Sequence, residues 1–304
     1  MKIQHSMPHI RITQFTVILI FYFIFIFLNS GFAVDMKLKH FSTINSPMVN
    51  ESSGIVKSKK YKNTYWTHND SGDAARIFAI TQSGNLIQPK WYKGKYQGIH
   101  IVDAHNIDWE DIAMDQSGNL FIGAFGNNGN ARRDLAIYEL SEPNPMQIIK
   151  ARSSYKYRFT YPDQKEYPPK KRNFDAEGFF EYKNDFYIFS KNRADKKTKA
   201  YVLKKPDPLH NNVLELLGEF DCKGLITAAD ISDDQQVFTI MSYNNLHVFE
   251  LKPQDPFSKL LITLNFGFTK QIEGICFDEN KLLISNENKK LYLVDWKQYL
   301  NNQD

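Results

Sequence analysis

A short phrase returns five times along this 304-residue chain, and it constrains the fold more than any other feature. Each copy sets an acid or small polar residue before Gly or Asp, then Ile or Phe at the head of an apolar stretch. The copies are Glu51-Ser52-Ser53-Gly54-Ile55, Glu110-Asp111-Ile112, Glu177-Gly178-Phe179, Ala229-Asp230-Ile231 and Glu273-Gly274-Ile275. Aligned on Gly54, Asp111, Gly178, Asp230 and Gly274, they are 57, 67, 52 and 44 residues apart. Four-stranded propeller blades repeat every ~40–50 residues, so the longer steps carry inserted loops.

The same rhythm follows each phrase. Second strands are predicted at Thr64–Thr67, Asn119–Gly123, Phe186–Ser190, Val237–Ser242 and Leu282–Ser285, and third strands at Arg76–Thr81, Leu135–Leu140, Ala200–Leu203, Leu246–Leu251 and Lys290–Val294. Fourth strands are predicted at Leu86–Trp91, Tyr155–Thr160, Leu214–Phe220 and Lys259–Leu264. The fifth unit lacks one, and Leu38–Ile44 can supply it, closing the ring and removing the exposed edges. The chain thus reads as an all-β, five-bladed propeller over about 36–304. Six blades follow if Lys93–Ile107 or Tyr161–Arg172 holds further strands, although the prolines of the second stretch suit a loop. A pair of β-sandwiches leaves the five phrases unexplained.

Composition agrees. Aromatic residues make up 14%, with 23 Phe and 16 Tyr, which suits packed strands rather than helices. The net charge of +4 is too mild to predict a nucleic-acid partner. Before the first strand, Phe15–Leu28 is free of charge, and Gly31 and Ala33 take the small-residue places of a cleavage site. Residues 1–33 are therefore expected to be a signal peptide, or an anchor if retained, and 34–304 a single exported, periplasmic or secreted domain. Cys222 and Cys276 pair or remain buried thiols; spacing does not decide.

In a propeller, the phrases and the loops after each second strand meet at one mouth of the central channel. Glu51, Glu110, Glu177, Asp230 and Glu273 are the candidate metal ligands, and hard oxygen donors of this kind suit Ca²⁺. Asn69, Asp70, Asn127, Lys191, Arg193 and Asn244 are the candidate ligand-binding residues, with the two cations suited to an anionic group. His68 and Asp73 are the candidate bases for any hydrolysis. The plainer alternative makes the acids turn chemistry, with Gly supplying positive φ. Asp70-Ser71-Gly72-Asp73 is no EF-hand loop, the histidines lack zinc spacing, and no G-x-S-x-G or P-loop occurs.

Thr67-His68-Asn69-Asp70-Ser71-Gly72-Asp73, Trp109-Glu110-Asp111-Ile112-Ala113, Phe125-Gly126-Asn127-Asn128, Asp175-Ala176-Glu177-Gly178-Phe179 and Ile272-Glu273-Gly274-Ile275 resemble the motifs of an uncharacterised bacterial extracytoplasmic β-propeller family. More distantly, the chain is similar to calcium-dependent gluconolactonase and phytase-like esterase propellers. That resemblance implies a metal site at the channel top and an esterase-like hydrolysis.

Three functions are expected, in this order: ligand binding with Ca²⁺ at the polar ring; metal-dependent hydrolysis of a phosphoester, lactone or other ester; and a platform for a protein partner. A monomer is expected, with membrane contact only through an uncleaved N-terminal segment.

Overall fold

The computed structural model describes residues 32–267, 269 and 271–301. The charge-free run Phe15–Leu28 lies outside the described residues, whereas the strand Phe32–Asp35 straddles the expected cut between Ala33 and Val34. Among the described residues, no helix is long and apolar enough to cross a membrane.

Five antiparallel sheets form the five blades of a β-propeller. The innermost strands are Ser52–Lys57, Asp111–Met114, Ala176–Tyr182, Ile226–Ile231 and Ile272–Asp278. Each pairs with its second strand, and the second with the third, by direct hairpin order. Alternate side chains of a strand face opposite sides of the sheet, and here both sides are covered. Five apolar clusters result, one in each gap between neighbouring blades. Trp66 and Trp109 fill the gap between blades 1 and 2, while Phe179, Phe186 and Phe159 fill the next.

The ring closes as the sequence predicts. His40–Thr43 adds antiparallel to Lys290–Val294, completing blade 5. Ile44, immediately after it, is buried with Ile55, Phe78, Leu283 and Leu291 in the cluster joining blades 5 and 1. Three short strands add in parallel outside their blades: Phe32–Asp35 on blade 4, Lys150–Ala151 on blade 1 and Asn212–Val213 on blade 2. None of them was anticipated.

Two expectations need correction. The fourth strand of blade 1 is not Leu86–Trp91. Only Leu86–Ile87 pairs there, and the blade is completed by Ile99–Ile101, after a loop containing Pro89, Gly94 and Gly98. This accounts for the strand within Lys93–Ile107 without a sixth blade. The Tyr161–Arg172 stretch remains a loop.

The second correction is one of register. Ser190, Ser242 and Asn286 end their second strands and pair with Ala176, Ile226 and Ile272. The ladder then skips one residue on the inner strand, leaving Glu177, Thr227 and Glu273 as bulges. Blade 4 thus places Ala228, not Asp230, where blades 3 and 5 place Gly178 and Gly274. Asp230 lies two residues deeper along its strand.

The recurrent glycines serve close approach rather than positive φ. A Cβ on Gly54 would lie 2.5 Å from Ile112 N, one on Gly178 2.6 Å from Ala229 N, and one on Gly274 2.4 Å from Ser53 O. Each glycine therefore lets one inner strand press against the backbone of the next blade.

Candidate functional site

Below the mouth, the channel is held by carboxylates turned to structural use. Asp111 is fully buried; its Oδ1 accepts from Ile112 N at 2.8 Å. Its Oδ2 accepts from Phe179 N at 3.1 Å and from Ala229 N at 3.3 Å, joining blade 2 to blades 3 and 4. Asp230 does the same at the next seam, its Oδ2 accepting from Phe277 N at 2.7 Å. Burial pushes Asp230 up to about 7 against the pull of these donors. Asp230, expected among the metal ligands, is thus a fastening between blades 4 and 5. Ser53 continues the pattern, donating to Glu110 O at 2.6 Å between blades 1 and 2.

At the mouth the bulges matter, because an extra residue re-aims its side chain. Glu177 occupies such a bulge, and Glu110 is the residue at the same place before Asp111. Asp108 and Asp175 each precede these glutamates by two residues. Carboxylate oxygens of Glu110, Asp175 and Glu177 lie within 4.8 Å of one another, as do those of Asp70, Asp108 and Glu110. Glu110 belongs to both groups. Gly126, in the loop after the second strand of blade 2, makes the room: a Cβ there would meet Glu110 Oε1 at 1.9 Å and Asp108 Cγ at 2.5 Å.

The surrounding cations are already engaged. Lys191 Nζ donates to Glu177 Oε2 at 2.8 Å and stands 5.2 Å from the centre of the Tyr243 ring. Arg193 donates through Nε to Asp175 Oδ2 at 3.1 Å and lies 3.7 Å from Glu177 Oε1. Asp175 Oδ1 also accepts from Asn127 N at 2.6 Å. Tyr243 Oη donates to Glu273 Oε1 at 2.9 Å. By contrast, the Glu110 side chain accepts no hydrogen bond from any described residue, although Glu110 is only 6% exposed.

Titration follows this charge balance. Burial, then the charges of Glu177 and Asp108, hold Glu110 well above the usual carboxylate range. Burial, then Asp70 and Asp175, raise Asp108 to about 6. Burial raises Glu273 to about 7 in spite of Lys191. Burial disfavours the Lys191 ammonium, but Glu177 and Glu273 outweigh it and keep its pKa well above the usual lysine value.

The other expected residues fall elsewhere. His68 is fully buried; its Nδ1 donates to Asn69 O at 2.9 Å, and its ring meets Trp109 edge-on. Burial pushes its pKa down. Burial works against the Asp73 carboxylate, but Arg76, donating at 2.6 and 2.8 Å, and Asn69, donating at 2.6 Å, hold it below its usual range. Asn69 and Asn127 also fasten loops, through Met48 O and Phe174 O. Asn244 accepts from Ser242 Oγ. Glu51 is exposed and outside both acidic groups. Cys222 and Cys276 are free and buried. Asp108 is the residue the sequence reading passed over, although its place three residues before Asp111 matches that of Asp175 before Gly178.

No family model matches this chain, and no curated protein does. Among solved structures, it is similar to the glutaminyl cyclase of Myxococcus xanthus, with 10% identity and a TM-score of 0.48 over 87% of this chain and 97% of that one. A chain of a nidogen/laminin complex aligns at 10% identity and a TM-score of 0.44, over 78% of this chain and 73% of that one. A chain of a mitotic checkpoint complex aligns at 10% identity and a TM-score of 0.38, over 79% of this chain and 60% of that one. These are likenesses of fold.

Proposed function

We propose that this propeller is a cation-dependent binding protein, with Ca²⁺ held at the channel mouth by Glu110, Asp175 and Glu177. The observation carrying this reading is the Glu110 carboxylate, which accepts no hydrogen bond from a described residue, opens only to the channel mouth and is shared by two acidic groups. A buried charge left without a donor is costly unless a cation meets it. Two oxygens that ligate one Ca²⁺ at ~2.4 Å lie at most ~5 Å apart, and the 4.8 Å grouping satisfies this limit. The donor set is all oxygen, which also favours a hard cation. When bound, the ion would supply positive charge to hold an anionic group of a small ligand.

The chain's own residues prepare the place. Lys191 fixes Glu177, while Arg193 and the Asn127 amide fix Asp175, so two of the three carboxylates are oriented in advance. Hydrolysis is the less supported reading, because His68 is enclosed and Asp73 is tied to Arg76. Export rests on the charge-free run Phe15–Leu28 ahead of Gly31 and Ala33.

The test is calcium titration of chelator-treated protein, followed by calorimetry and thermal melting. Saturating Ca²⁺ should raise stability by RT ln(1 + [L]/Kd), ~2.7 kcal/mol at a hundredfold excess over Kd. Glu110→Gln should abolish the effect, and Glu51→Gln should retain it. A melting curve unmoved by millimolar Ca²⁺ would sink the proposal.

A further inference from the structure

The opposite face of the propeller carries a second feature, independent of the acidic mouth. A cavity of about 610 Å³ opens where the hairpin loop after the inner strand of blade 1 meets the corresponding loop of blade 5. That volume lies in the range of small-molecule sites.

Its walls are fixed by hydrogen bonds rather than by the lysines that rim it. Asp278 accepts from Lys57 at 2.6 Å through Oδ1, and from the Tyr65 hydroxyl at 2.8 Å and the Gln82 amide through Oδ2. Ser58 Oγ accepts from the backbone N–H groups of Lys60 at 3.1 Å and Tyr61 at 2.7 Å, setting the course of the loop. Its hydroxyl in turn donates to Glu142.

The charges then sort themselves. Lys57 is committed to Asp278, and Lys59 to Asp233. Lys60, Lys62 and Lys281 remain around the cavity with no ion pair among the described residues, and they face only Glu279 and Asp295 as uncommitted acids. Lys60 and Lys62 come from one loop and Lys281 from the other, so the three lysines line the cavity from both sides of the seam. A lysine ammonium binds phosphate as a point charge, and a doubly charged group meets several of them better than a single carboxylate does. Between the two lysines of blade 1, Tyr61 offers a half-buried ring for the organic part of a ligand.

We infer that this cavity is a binding site for a small phosphate monoester, formed by Lys60, Lys62 and Lys281 around the Tyr61 ring at the seam between blades 1 and 5. The site does not depend on calcium at the mouth.

The experiment is calorimetric titration of the full chain in excess EDTA with a hexose phosphate, with the unphosphorylated hexose and inorganic phosphate alongside. Saturable binding of the ester, weaker binding of phosphate and none of the hexose are expected. The double variant Lys60→Glu/Lys281→Glu should weaken the ester about tenfold or more with an unchanged melting temperature. Lys62→Gln, which removes a charge without reversing it, should weaken it to a smaller extent and replaces the double variant if melting shifts. Glu110→Gln should leave ester binding as it was, which separates this site from the calcium reading. The inference falls if the ester shows no saturable binding at millimolar concentration, if the lysine variants bind it equally well, or if the bare hexose binds as tightly.

Discussion

Replacing Gly178 by Ala tests whether the inner strands are packed backbone to backbone. The new Cβ would lie 2.6 Å from both Ala228 C and Ala229 N, whereas ordinary contact begins at 3.4 Å. Blades 3 and 4 must therefore separate by about 0.8 Å at the channel, and neither obstructing atom belongs to a side chain that can swing away. The movement also stretches the bonds from Phe179 N and Ala229 N to Asp111, already 3.1 and 3.3 Å long. Overpacking costs ~1–3 kcal/mol, and a weakened buried hydrogen bond adds ~1 kcal/mol, so a loss of about 3 kcal/mol is expected. At ~2–4 °C per kcal/mol for a domain of this size, the melting temperature should drop by ~6–12 °C. Gly129→Ala is the matched control, because nothing stands within 4 Å of its Cβ. Paired denaturant and thermal melts decide the matter. If the two variants melt together, the explanation of the repeated glycines is wrong.

Four further outcomes follow. Asp111→Ala should cost about 3 kcal/mol by stranding buried N–H groups, whereas Glu110→Gln should stabilise the metal-free protein; chemical denaturation of both variants reads the opposite signs. Carboxyls raised on folding bind more protons in the folded state than in the unfolded one. Metal-free stability should therefore fall as pH rises from ~4 through about 6 for Asp108 and about 7 for Glu273 and Asp230, and Ca²⁺ should raise the melting temperature more at pH 8 than at pH 5, as differential scanning calorimetry would show. Deleting Asp35–Asn45 removes the closing strand and Ile44, and it should lower stability by ~3–5 kcal/mol; an unchanged melt would reject the closure. A thiol reagent should label neither Cys222 nor Cys276 until the protein unfolds, since both are buried and burial pushes their pKa values up.

The parts of the fold that were legible are those in which hydrophobic pattern and spacing agree. Second and third strands carry apolar side chains on both faces, so they stand out as runs such as Val237-Phe238-Thr239-Ile240-Met241. Leu38–Ile44 was found because the fifth unit lacked a strand. Blade 1 misled because Leu86-Ile87 begins like a strand, while the true partner, Ile99-His100-Ile101, is too short to show alternation. Blade 4 misled through its letters: Ala229-Asp230-Ile231 looks like the phrase, but the bulge falls at Thr227, and neither Thr227 nor Ala228 looks like Glu or Gly. Glu110 and Glu177 were legible as members of the acidic mouth; Asp108 was not, because the phrase was read forward from the glutamate and not back from it.

The two adjacent carboxylates of blade 2 sit in opposite environments within one repeat. Asp111 accepts three backbone N–H groups from three blades, and nothing is left for a ligand to satisfy. Glu110 is one residue away and 6% exposed at the channel mouth, yet it has no donor among the described residues and four acids around it, Glu177, Asp108, Asp70 and Asp175. A carboxylate kept for stability should resemble Asp111, because an unsatisfied buried charge only weakens the fold. The sequence thus places at 110 a group that packing alone would reject, at the point where Gly126 leaves room for it and Lys191 and Arg193 hold its neighbours. The rules kept at 111 are broken at 110, and that contrast is what directs the calcium proposal to Glu110.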